Sequence, residues 1–114
     1  MIEINVLRKK EGELTGYEVK GHAEYADEGE DIVCAAISVL AQTGIFSLNS
    51  LVSIEGSEKI EKGFLRCSIP EDITDEKKNE AQLIMNTVLV GMYQTARSYP
   101  DRIKILDEGG IYQC

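Results

Sequence analysis

The chain holds one histidine, His22, and twelve residues later a cysteine, Cys34; five acids, Glu24, Asp27, Glu28, Glu30 and Asp31, fill the gap. Thiolate is the reactive form of cysteine, and a neighbouring imidazole can both remove the thiol proton and stabilise the anion. Carboxylates near an imidazole raise its pKa and favour an imidazolium–thiolate pair. The residue types thus suit nucleophilic attack on a carbonyl. Plainer uses exist for each: Cys34 as a small buried residue of an apolar helix face, His22 as a surface or capping residue, and the acids as a solvated loop. Spacing alone does not choose, because such pairs are defined by geometry.

Two further cysteines, Cys67 and Cys114, raise zinc as a rival use, with His22, Cys34, Cys67 and Cys114 as ligands. The absence of any CxxC pair argues against it, so no metal and no cofactor is expected. Cys67 sits in a strand-like stretch and reads as core. GxxxxGK[ST] and GxGxxG, the phosphate-binding loops, are also missing.

The elements around these residues follow from periodicity. Ile2, Ile4 and Val6 alternate with polar residues, as do Leu14, Tyr17 and Val19, with a break near Gly16; "RKKEG" between them reads as a hairpin turn. Residues 21–30 have no period and two glycines, so they form a loop, with Gly21 and Gly29 as hinges. From Asp31 the period becomes helical. Asp31 is the expected N-cap, Ile32, Ala36, Val39, Leu40 and Thr43 the expected inward face, and the helix runs to about Leu51. Cys34 then falls in the first turn, where the dipole and unpaired amides favour a thiolate and can receive an oxyanion. Ser38 follows one turn later, placed to line a groove or to bond back to the carbonyl of Cys34.

A short strand near Ile60 and a strand "FLRCS" before Pro70 come next. Thr74 caps a second helix with Asp75 and Glu76 in its first turn and Ala81, Met85, Val88, Met92 and Ala96 inward; Pro100 stops it. "RIKILDE" is a last strand. Each helix carries a mid-helix glycine, Gly44 or Gly91, at a cost of about 1 kcal/mol that close helix packing can offset. The predicted fold class is α+β: a mainly antiparallel sheet of about five strands with two long helices packed on one face, in one domain over residues 1–114.

The totals narrow the function. A length of 114 residues suits a core without staples, and a net charge of -8 disfavours nucleic acid as a partner while suiting a basic peptide. An odd number of cysteines and a start without a signal-peptide pattern predict reduced thiols in the cytoplasm. The longest unbroken apolar run, "VLVGMY", is too short for a bilayer, so no membrane is expected.

"GHA", an acidic glycine-containing loop and "DIVCAAIS", together with "NEAQLIMNTVLVGM" from Asn79 to Met92, resemble the ribosomal-processing cysteine proteases of Firmicutes and related bacteria across the whole chain. The resemblance implies an endopeptidase that removes the N-terminal extension of large-subunit ribosomal protein number twenty-seven, cutting after a Phe-Phe pair before a lysine-rich stretch. It implies His22 and Cys34 as the catalytic dyad, with Gly21, Asp31, Ala35 and Ser38 as supporting or substrate-binding positions, and a homodimer. The alternative is a non-catalytic ribosome-assembly factor that binds the basic ribosomal protein without cutting it.

Overall fold

The structure, a computed structural model, describes residues 1–21, 28–55 and 57–107, with the side chains of residues 28–31 and 57 left out. Five strands and two helices follow in the order β1 (Ile2–Arg8), β2 (Leu14–Lys20), α1 (Glu28–Val52), β3 (Ser57–Glu61), β4 (Phe64–Ser68), α2 (Asp75–Ser98) and β5 (Ile103–Leu106). The strands lie side by side as β3-β4-β2-β1-β5. Every pairing is antiparallel except β1 with β5, which run parallel from Ile2↔Ile103 to Asn5↔Leu106. The fold is α+β, as expected.

Strand alternation sorts the sheet into two faces. Ile2, Ile4, Val6, Leu14, Tyr17, Leu65, Cys67 and Ile103 turn into the core with both helices, while Glu3, Asn5, Leu7, Glu18 and Arg66 alternate with them. The break expected near Gly16 is real: Leu7 pairs with Gly16 but Arg8 pairs with Leu14, which leaves Thr15 as an extra residue. The Gln82 side chain meets this irregularity, accepting from the Leu14 N–H at 2.9 Å and donating to the Leu14 carbonyl at 2.6 Å. That contact ties α2 to β2. At the far end of β1, the Arg8 guanidinium grips both carboxylate oxygens of Asp107, at 2.7 and 3.0 Å, and the Tyr93 hydroxyl donates to the same carboxylate at 3.1 Å. Both charged side chains are almost fully buried, so they fasten the end of β5 to β1 and α2.

The second helix forms as its sequence dictates. Thr74 caps it, its hydroxyl accepting from the Lys77 N–H at 3.2 Å. Ala81, Met85, Val88 and Met92 are buried, Leu89 joins them and Ala96 is partly buried.

The first helix departs from expectation twice. It begins at Glu28, so Asp31 lies within its first turn and is not the N-cap. Its inward face is also rotated. Val33, Ile37, Ala41, Ile45, Leu48 and Val52 are buried, whereas Ile32, Val39 and Thr43 are exposed. The cause is compositional: from Ile32 to Ile54 the chain has no charged residue. Without a polar face the 3.6-residue period has no phase to read. The 21-residue stretch Ile32–Val52 is even long and apolar enough, by length and composition, to cross a membrane. A search for unbroken apolar runs misses it because Ser38, Gln42, Thr43 and Ser47 interrupt the run. Its inward face nevertheless lies within the core shared with the sheet.

Both mid-helix glycines sit at close approaches. A Cβ on Gly91 would come 2.6 Å from Leu40 Cδ2 of α1, and one on Gly44 would overlap the Tyr17 hydroxyl and stand 3.3 Å from Val88 Cγ2 of α2. Leu40–Gly91 and Gly44–Val88 thus mark the line along which the helices cross closely, running in opposite directions. The expected reason for these glycines holds, with the tyrosine of β2 as an additional neighbour.

Candidate active site

Cys34 lies on α1 between the buried Val33 and the exposed Ala35 and is itself half-buried, packed against the edge of the core. Val33 and Ile37 pin this part of the helix to the sheet, so the cysteine holds a fixed place at the rim. Ser38, one turn on, is exposed. Because α1 starts at Glu28, Cys34 is in its second turn, not its first. The amides left without helical partners at a helix start are the first four, here those of residues 28–31. The Cys34 N–H lies beyond them, inside the helix, so the thiol is not in the first turn as expected, and the amides of the helix start lie roughly 5 Å back along the axis, at 1.5 Å rise per residue.

Gly21 is the last residue before the acidic stretch. Its φ is +76°, its N–H donates to the Gly63 carbonyl at 3.1 Å, and a Cβ there would come 2.6 Å from the Met1 carbonyl oxygen. The start of β1, the end of β2 and the turn between β3 and β4 therefore meet at this glycine. A side chain would strain the backbone and strike Met1. The hinge expected at Gly21 is thus anchored on its N-terminal side by the bond to Gly63. His22, Glu24 and Asp27 lie outside the described residues, as do Cys114 and the side chains of Glu28, Glu30 and Asp31; Gly29, expected as a loop hinge, lies instead in the first turn of α1, which begins at Glu28.

The two described cysteines differ in kind. Cys67 is buried in β4, its thiol pushed up to about 11 by burial, with the neighbouring Tyr17 hydroxyl pulling the other way and Glu58 adding to the rise. Burial also pushes the Tyr17 phenol well above its ordinary value, and its hydroxyl donates to the Ala41 carbonyl at 2.5 Å. A protonated, enclosed thiol is a poor nucleophile. Cys34, at the rim of the core, is the described thiol that a substrate can reach. Among the described residues no group of three or more histidines, cysteines or acids stands together as a metal site would. A depression of about 800 Å³ on the sheet, lined by Asn5, Leu7, Arg8, Glu18, Leu106 and Asp107 among others, includes none of the candidate residues.

The motif singles out Cys34, which the structure places half-buried at the rim of α1, while the sequence reading leaves out the joint made by Gly21, Gly63 and Met1. Gly63 follows Lys62 in a turn between two strands, and that turn signal was the available pointer to it.

Residues 1–104 match the family model for the cysteine protease Prp. A ribosomal processing cysteine protease Prp of Bacillus subtilis (strain 168) is 24% identical over 110 residues, covering 92% of this chain and 96% of the relative. The crystal structure of an essential ribosomal processing protease Prp from S. aureus in complex with a substrate peptide superposes with a TM-score of 0.81 at 26% identity, covering 93% of this chain and 98% of that one. A second S. aureus structure, in complex with a covalently linked product peptide, gives a TM-score of 0.77 at 27% identity, with 92% and 97% covered. On the match of its first 104 residues and on the full extent of its likeness to these proteins, the chain belongs to the cysteine protease Prp family.

Proposed function

We propose that this cysteine protease is an endopeptidase of narrow specificity that removes the short N-terminal extension of large-subunit ribosomal protein number twenty-seven, cutting after Phe-Phe and before a lysine-rich segment. The observation that carries the role of Cys34 is the contrast between the two described thiols: one half-exposed at the rim of α1, the other enclosed and held protonated. The printed names of the relatives, as ribosomal processing proteases, support the substrate class.

In the proposed reaction, His22 takes the proton of the Cys34 thiol, and Sγ attacks the scissile carbonyl carbon. The tetrahedral intermediate collapses as His22 returns that proton to the leaving amine, which departs with the lysine-rich product. Water then attacks the thioester, its proton passes to His22, and the C–S bond breaks to give a carboxylate and the restored thiol. Asp31, Ala35 and Ser38 support or line the site. The enzyme acts in the cytoplasm, where its odd set of thiols stays reduced, and as a homodimer.

Incubating the enzyme with a peptide containing Phe-Phe-Ala-Ser-Lys-Lys and weighing the products tests this reading. Fragments that divide after the second phenylalanine are expected from the wild type and none from Cys34→Ala. An intact peptide with the wild type, or cleavage elsewhere, would refute the substrate assignment.

A further inference from the structure

Strand β3 is an edge of the sheet, and among the described residues no strand pairs with its outer side. The pairings show which backbone groups it leaves open. The Gly21 N–H donates to the Gly63 carbonyl, so Lys20 and Phe64, which face each other, form a non-hydrogen-bonded pair. The backbone groups of Phe64 therefore point to its other neighbour, Glu61 of β3. Ile60, the next residue, turns its N–H and C=O the opposite way, onto the open edge. Ile60 pairs with Leu65, a core residue, so its side chain projects on the helix side of the sheet. It is nonetheless 53% exposed, and it is the one apolar residue of β3. The cause is the placing of the helices: α1 packs on β4 and α2 on β2 and β5, which leaves β3 projecting beyond the helix layer.

Cys34 faces the same side. At about 100° per residue, Leu40 and Cys34 fall roughly 60° to either side of Ile37 on α1. Leu40 meets Gly91 of α2, so Cys34, and Ser38 further round, stand on the flank turned away from α2 and towards β3. The levels match as well. Helix α1 follows the end of β2 and stops before the start of β3, so it runs antiparallel to β3. The Tyr17 hydroxyl reaches the Ala41 carbonyl, and Tyr17 shares a row with Cys67 and Glu58. Ile60 lies two residues further along β3, about 7 Å. On α1 that distance takes about four or five residues back from Ala41, to the level of Ile37. The thiol stands about one helical turn beyond.

We infer that the open edge of β3 takes the substrate segment before the cut as an added strand, and that Ile60 is a specificity-determining residue that packs against the first phenylalanine of the pair. An extended peptide on a sheet edge gains affinity from main-chain bonds and specificity from alternate side chains. Ile60 offers both at one position, an open N–H and C=O and an exposed apolar side chain. The thiol attacks the carbonyl of the second phenylalanine, and the first lies one residue, about 3.3 Å, further along the chain towards the level of Ile60. The lysines after the cut then leave on the other side of the thiol, away from this apolar contact. The inference rests on the proposed Phe-Phe substrate and adds how the enzyme reads it.

Kinetics on paired enzymes and peptides provide the test. Wild type and Ile60→Ala are assayed on the Phe-Phe-Ala-Ser-Lys-Lys peptide and on the same peptide with its first phenylalanine replaced by alanine. Ile60→Ala is expected to keep the wild-type circular dichroism spectrum, because the side chain is exposed. Removing the first phenylalanine is expected to lower kcat/KM roughly a hundredfold for the wild type and only about tenfold for Ile60→Ala. Equal penalties in the two enzymes would overturn the inference and leave the substrate reading intact. No cleavage of the parent peptide by the wild type would overturn both. The wild type alone tests the added strand, on a peptide extended before the pair and N-methylated at one amide at a time. Loss of kcat/KM is expected at every second amide before the cut, those facing β3. Tolerance at every amide, or equal loss at every amide, would overturn the strand.

Discussion

Gly44→Ala should destabilise the protein, although helix propensity alone predicts the reverse. In an ordinary helix interior the change would stabilise by about 1 kcal/mol. Here the new methyl would overlap the Tyr17 hydroxyl and press on Val88 Cγ2 at 3.3 Å. Forcing a methyl into a packed core costs about 1–3 kcal/mol. Displacing the hydroxyl from the Ala41 carbonyl leaves a buried polar group unpaired, at a further ~1–3 kcal/mol. The net expectation is a loss of about 3 kcal/mol, or roughly 10 °C in Tm for a domain of this size. Tyr17→Phe alone should cost about 1 kcal/mol, the usual worth of one hydrogen bond. In the double variant the overlapping oxygen is gone and the ring carbon stands at 3.3 Å from the methyl, so the cost should fall short of the sum by about 1–2 kcal/mol. Urea unfolding of the four proteins measures this cycle. A raised midpoint for Gly44→Ala, or strict additivity, would refute the packing argument.

Other expectations are as direct. Cys67→Ser should leave turnover per folded molecule near wild type while lowering the unfolding midpoint, and iodoacetamide at pH 8 should label Cys34 in the native enzyme but not Cys67, whose pKa is about 11; peptide mapping reads both. Asp107→Asn should cost about 3–5 kcal/mol in urea unfolding, because it strips the buried Arg8 guanidinium of its counter-charge. The kcat/KM for a lysine-rich peptide should fall as salt rises, since a net charge of -8 attracts it and exposed charges are screened beyond ~8 Å at physiological ionic strength; a flat salt profile would remove electrostatic steering.

What could be read in advance tracks how much contrast each segment carries. Strands β1, β2 and β4 alternate plainly, and α2 has an N-cap threonine, acids in its first turn and a proline past its end, so all were legible. Helix α1 has none of these contrasts after Asp31. Its inward face could not be phased from Ile32, Ala36 and Val39, because the residues on every side are apolar or neutral. Its start was also misplaced, since Asp31 has the chemistry of a cap and so do the residues before it; acids at Glu28, Glu30 and Asp31 equally suit a first helical turn. Cys34 was singled out by its motif, and its half-buried place at the rim of the core suits the proposed role. The joint at Gly21 was not, because it depends on Gly63 and Met1, which are distant in sequence and brought together by strand pairing alone.

Trapping the covalent intermediate tests the central claim most directly. The enzyme is mixed with the Phe-Phe-Ala-Ser-Lys-Lys peptide, quenched in acid within a turnover, digested and weighed. The account predicts that the N-terminal fragment of the substrate is attached to Cys34 as a thioester, that His22→Ala accumulates far less of it, and that Cys34→Ala shows neither adduct nor product. An adduct on another residue, or products released by Cys34→Ala, would contradict it.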